Sequence, residues 1–187
     1  MANFDLNKLQ GAIPQPKGAQ HKNALPPIES WDPPFCGDID LIIKHDGSWH
    51  YMGTPIGRIA LVKLFASVLK REAEQYFLLT PVEKVGIQVV DSPFLITQWQ
   101  QKQQDLIFTT NLDDSFVVSS QNPIQLMLDK VTGDLLPYAL VRRNLWARLH
   151  QNVFYQLAEL GSEQLIKGEP HLMVTSADQN FSLGRCG

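Results

Sequence analysis

The sequence predicts an α+β protein that is mostly antiparallel β, and three observations carry that prediction. After Glu72 the chain is cut into short apolar runs by regularly spaced turn signals, as in a curled or barrel-like antiparallel sheet. In "HDGSWHYM" the dipeptide Asp46-Gly47 lies between two apolar runs, a strong hairpin signal. The stretch after Thr54 is apolar nearly all round, so its helix is expected to be covered on several sides by sheet.

From the N-terminus, Phe4 to Leu9 form at most a helical turn, because Pro14, Pro16, Gly18, Pro26 and Pro27 break any regular structure beyond it. Residues 1–27 therefore read as a proline-rich arm with little apolar surface to bury, dispensable for folding. Folded structure begins near Ile28, with Trp31 and Phe35 as apolar anchors around Pro33 and Pro34, which hold the chain extended. Strands over Asp38 to Lys44 and Trp49 to Met52 flank the Asp46-Gly47 turn. Thr54 then caps a helix with Pro55 in its first position, and Ile59, Val62, Phe65, Ala66 and Leu69 recur at helical spacing.

Short strands succeed it over Tyr76 to Leu79, Val85 to Val90, Phe94 to Gln100, Leu106 to Thr110, Phe116 to Val118, Ile124 to Leu128 and Leu135 to Val141. In "TPVEK" the spacing from Thr80 to Glu83 matches a capping box and predicts one helical turn. Asn144 and Asn152 are expected to cap a broken helix carrying Leu145, Trp146, Leu149, Val153, Phe154, Leu157 and Leu160, closed by Gly161. The chain thus divides into the arm, an N-terminal half over 28–82, and a β-rich C-terminal half with a C-terminal helix over 83–187. "IIKHDGSWHYMGTPIGRIALVKLF" and "MLDKVTGDLLPYALVRRNLWARL" share the order strand, glycine turn, strand, helix, which raises a structural repeat.

With 187 residues, 44% apolar and 19% charged, and a net charge of −3, the composition is that of a soluble globular protein. Lys63, Lys70 and Arg71, and then Arg142, Arg143 and Arg148, are short basic clusters, not a nucleic-acid surface. The N-terminus lacks a secretory pattern, and no apolar run approaches the roughly 20 residues needed to cross a bilayer, so a cytoplasmic protein without a membrane partner is expected. Cys36 and Cys186 stand at opposite ends of the chain without metal-type spacing and are expected to be reduced thiols. The glycine loops of nucleotide binding, the zinc-protease helix and the nucleophile elbow are absent, so no cofactor is expected. A homo-oligomer is compatible with these properties.

The candidate sites each have two readings. Cys36, with His45 and His50 nearby in sequence, has the elements of a nucleophile and base, but Asp38 and Asp40 would disfavour its thiolate; a buried structural thiol is the preferred reading. Asp38 and Asp40 share one strand face about 7 Å apart and, with His50, could hold a cation. Against this, Asp38 can stabilise the turn at Gly37 while Asp40 pairs with Arg58 or a backbone amide. "GTPIGR" has the form of an anion site, amides at a helix start with Arg58 beside them, as well as of a plain helix cap. Arg142 and Arg143 could grip a phosphate or carboxylate, although adjacent side chains usually diverge. Trp31, Trp49, Trp99 and Trp146 read as packing residues.

The segments "PPFCGDIDLII", "DGSWHYMGTPIGRIALVKLFASVLKRE", "YFLLTPVEKVGIQVVDSPF" and "LPYALVRRNLWARLHQNVFYQLAELG" resemble a domain-of-unknown-function family of bacterial proteins of about this length. Together these segments cover most of the chain from about Trp31 to Gly161. The resemblance implies two β-rich halves, each a curved or half-barrel sheet wrapped around one main helix, and a role in signal transduction; it brings no catalytic residues. The expected function is a non-catalytic module that binds a small molecule or a protein, with Asp38, Asp40, His50, Arg58, Arg142 and Arg143 as binding candidates. The alternative is a small hydrolase or metal-dependent enzyme using Asp38, Asp40 and His50.

Overall fold

The computed structural model, which describes residues 4–15 and 24–187, bears out a mostly antiparallel β protein with three helices. The chain divides into two units. The first takes in residues up to Lys44 together with Ser48–Val89, and the second His45–Gly47 with Val90–Gly187. The boundary expected from the sequence lay between 82 and 83.

In the first unit, β1 (Phe35–Ile43), β2 (Trp49–Tyr51), β3 (Thr54–Pro55), β4 (Leu69–Glu72), β5 (Gln75–Leu79) and β6 (Lys84–Val89) form one sheet in the order β3-β2-β1-β6-β5-β4. Only β1 and β6 run parallel. Alternation along β1 sends Leu41 and Ile43 fully into the core and leaves Asp40 exposed. The helix α2 (Ile59–Ser67) buries Val62, Phe65 and Ala66, and Phe65 is among the largest fully buried side chains. Its first residue, Ile59, is 53% exposed.

Thr54 does not cap this helix. Met52 and Gly53 turn the chain at φ 51° and 78°, and Thr54–Pro55 then pair with Tyr51 and His50 as a third strand. The helix begins instead after Arg58, with no side-chain cap. Leu69, Lys70 and Arg71, expected at the helix end, belong to β4, where they pair with β5. The Thr80 turn is not helical either: Thr80 Oγ1 accepts the N–H groups of Val82 and Glu83 and so bends β5 into β6.

The arm is also more than a linker. Residues 1–3 and 16–23 lie outside the described residues, but α1 (Leu6–Ala12) is a true helix, capped by Asp5, whose Oδ1 accepts the Asn7 N–H at 2.8 Å. Leu9 and Ile13, at i and i+4, are 0% and 3% exposed, so the helix contributes to the core of the first unit. Tyr51 adds a hydrogen bond to the Phe4 carbonyl, and Lys8 pairs with Glu83 at 3.2 Å.

In the second unit, β7 (Phe94–Lys102), β8 (Asp105–Thr110), β9 (Ser115–Val117), β10 (Ile124–Leu128), β11 (Leu135–Arg142) and β12 (Leu145–Leu149) form a sheet in the order β10-β11-β12-β7-β8-β9. Its first and last strands in sequence again close in parallel. The expected broken helix is therefore half strand: Leu145, Ala147 and Leu149 point inward from β12, and only α3 (Gln151–Leu160) is helical. His150, not Asn152, caps it, with Nδ1 accepting the Asn152 N–H. The segment proposed to match the first hairpin and helix thus ends in a strand. After α3 the chain adds a three-stranded sheet, β13 (Ser162–Ile166), β14 (Glu169–Ser176) and β15 (Gln179–Arg185). Fully buried Ser176 ties it down, donating to the Val118 carbonyl and accepting the Leu106 N–H. Among the described residues no helix is long and apolar enough to cross a membrane.

Candidate functional site

The first unit carries a groove of about 720 Å³ beside α1 and α2. The buried stripe of α2 turns Ala60, Leu61, Lys63, Leu64 and Ser67, at helical spacing, toward this space. Asn7, Gln10 and Gln15 bring amide groups from the other side, and Ile13 and Pro14 add apolar wall. Arg58 and Lys63 are the charged residues of the lining, and no Asp or Glu belongs to it among the described residues.

In the second unit the titratable groups are concentrated elsewhere. His45 comes from the turn after β1, Asp91 from the loop before β7, Asp129 from the end of β10, Tyr138 from β11 and Arg148 from β12. Register places Tyr138 opposite Arg148 on neighbouring strands, so both reach Asp91. The Asp91 carboxylate accepts the Tyr138 hydroxyl at 2.8 Å, Arg148 Nη1 at 3.0 Å and the Lys130 N–H at 2.9 Å. Asp129 caps the β10–β11 turn, accepting the N–H groups of Val131 and Thr132, and its Oδ2 lies 2.7 Å from His45 Nε2. Arg148 also donates to the His45 carbonyl at 2.8 Å.

Burial opposes ionisation of Asp129, but the bonds from His45, Thr132 and Val131 outweigh it and hold its carboxyl below the ordinary range. Burial, then the bond to Asp91, pushes the Tyr138 hydroxyl well up.

Ligand atoms of His45, Asp91 and Asp129 lie within 4.8 Å of one another, near enough to share an ion. The donor set does not fit one. The Arg148 guanidinium already supplies positive charge, 3.0 Å from Asp91 and 3.9 Å from Asp129, and each carboxylate oxygen has a protein donor or ion-pair partner. A cation here would displace these donors and face Arg148. Chemically, the arrangement is a buried hydrogen-bonded network in which Arg148 is shared by two carboxylates.

Residues 26–92 match the N-terminal domain, and residues 93–183 the C-terminal domain, of the family model described as a domain or protein of unknown function, DUF1285. The chain belongs to the DUF1285 family. A DUF1285 family protein from Silicibacter pomeroyi DSS-3 is 40% identical, with a TM-score of 0.83 over 98% of this chain and 97% of that one. Another, from Shewanella baltica OS155, is 31% identical, with a TM-score of 0.52 over 64% of this chain and 90% of the other. A search of curated proteins gives no match.

Of the residues that the sequence marked in this DUF1285 chain, Arg58 alone lines the groove. Asp38 and Asp40 are both exposed on β1, and the Asp38 carboxylate lies over Gly86, where a Cβ would collide with Oδ1. His50 Nε2 meets Ser48 Oγ at 3.0 Å, and Asp38, Asp40 and His50 form no shared ligand set among the described residues. Arg142 pairs with Asp114 at 2.6 Å and packs over the Phe94 ring, while Arg143 turns the chain into β12 at φ 53°. Cys36 is exposed, its thiol 3.3 Å from the Pro34 carbonyl, and is not the buried thiol expected: the β1 alternation that buries Leu41 and Ile43 does not bury the strand's first residues.

Asp91, Asp129, Tyr138 and Arg148 are not marked by the sequence. Asp91 and Asp129 each sit beside turn signals, and Arg148 sits in a segment with helical spacing, so no local pattern joins them.

Proposed function

We propose that this protein is a non-catalytic cytoplasmic regulatory module whose first unit binds a small molecule in the groove beside α1 and α2. Signal transduction is the setting that the family resemblance implies. The groove carries this reading: at about 720 Å³ it has the size of a small-molecule site, and it mixes apolar wall with a few amide and cationic groups. The buried network of the second unit supports the absence of catalysis, because its acids are already committed to Arg148, Tyr138, His45 and backbone amides.

A thermal-shift screen of a chemically varied small-molecule panel tests the reading, run on the protein and on Ala60→Trp, which fills the groove from an exposed position. A ligand that binds the native state raises Tm as its concentration rises. At least one compound class is expected to stabilise the protein and not the variant. If none does, or if every hit stabilises both alike, the groove is not a ligand site.

A further inference from the structure

We propose that the groove selects an organic anion, a carboxylate or phosphate group on an apolar body, with Arg58 as its main counter-charge. This rests on the groove being a ligand site. The lining holds Arg58 and, among the described residues, no acid, so an anionic group in the groove meets the Arg58 charge and no carboxylate of the lining.

Arg58 is exposed, and among the described residues no ion pair engages its guanidinium. A guanidinium presents paired N–H donors that match carboxylate and phosphate oxygens. The first turn of α2 enters the same groove through Ala60 and Leu61 and has no side-chain cap, so the positive end of the helix dipole adds to the field. Leu61, Leu64 and Ile13 offer the apolar contact. A cationic ligand would find no counter-charge there, and a neutral one would leave Arg58 unused.

Isothermal titration with octanoate, octyl phosphate, octanol and octylamine, each below its micelle concentration, tests the class. Because the Arg58 side chain is exposed and makes no capping bond, Arg58→Ala, Arg58→Lys and Arg58→Glu are expected to fold normally, as circular dichroism would check. Octanoate or octyl phosphate should bind saturably and more weakly as salt is added. Arg58→Ala should weaken that binding at least about tenfold, Arg58→Lys should restore part of it, and Arg58→Glu should abolish it. The tighter of the two anions identifies the head group.

The proposal is overturned if neither anion binds, if octanol or octylamine binds as tightly, or if Arg58→Glu binds the anions as the parent does. Ala60→Trp separates the two failures. Octanol bound by the parent but not by Ala60→Trp would keep the groove as a ligand site and sink the anion class alone. Equal binding of all probes by both would sink the groove as well.

Discussion

Arg148 Nη1 and Asp91 Oδ2 lie 3.0 Å apart, with side chains only 10% and 2% exposed. Such a pair contributes little net stability over an apolar substitute, but removing one member strands the other charge out of water. Asp91→Ala should therefore cost about 3–5 kcal/mol, since it also leaves the Tyr138 hydroxyl without its acceptor. Arg148→Met, which leaves two buried carboxylates facing each other, should cost about as much. The double variant should lose less than the sum of the two. Urea denaturation of the three proteins measures this, and strict additivity would mean that the pair does not act as a unit.

Asp129 and Tyr138 also contribute to how stability depends on pH. The Asp129 carboxyl is held low in the fold, so its contribution is present above the unfolded value near about 4 and is lost as pH falls through the folded one. The Tyr138 hydroxyl is held high, so its contribution is present below about 10 and is lost as pH rises beyond that. In Tm recorded from acid to alkali, Asp129→Asn should flatten the acid limb and Tyr138→Phe the alkaline limb. Limbs unchanged in both variants would assign the pH dependence to other groups.

On α2, Phe65 is fully buried, whereas Lys70 lies on β4 and pairs with Glu72 at 3.1 Å, with both side chains more than a third exposed. Phe65→Ala combines lost transfer energy with a cavity and should cost about 3–5 kcal/mol. Lys70→Ala should cost at most about 1 kcal/mol, because an exposed pair is screened and its side chains keep their entropy. Comparable losses in urea denaturation would mean that α2 is not part of the core.

The strands from Tyr76 to Val141 are legible in the sequence because alternation and turn residues act locally, and each falls within a residue or two of its expected place. "NLWARL" is not, since Leu145, Trp146 and Leu149 satisfy helical spacing while Leu145, Ala147 and Leu149 satisfy alternation equally well. In the fold the segment pairs with β11 and β7, and its Arg148 meets Asp91, a partner 57 positions away. The same distance in sequence hides the network as a whole. Arg58 can be marked because its signal, a cation at a helix start, is local; that amides from α1 stand opposite it depends on a helix that the prolines around it disguise as an arm.

That arm gives the last prediction. Leu9 is 0% exposed and Ile13 3% exposed, and the arm adds the Lys8–Glu83 pair and, at Phe4, the acceptor for Tyr51. Leu9→Ala should then behave as a core substitution, costing about 2–5 kcal/mol. Cys36→Ser should change stability by no more than about 0.5 kcal/mol, because the exposed thiol neither packs in the core nor leaves a cavity. A chain beginning at Ile28 should expose the apolar surface that Leu9 and Ile13 cover, and melt earlier and less cooperatively than the whole protein. Calorimetry of the truncated chain against the Leu9→Ala variant compares the two effects directly. A truncated chain as stable as the parent would show that α1 rests on the unit without supporting it, and would restore the expectation drawn from its prolines.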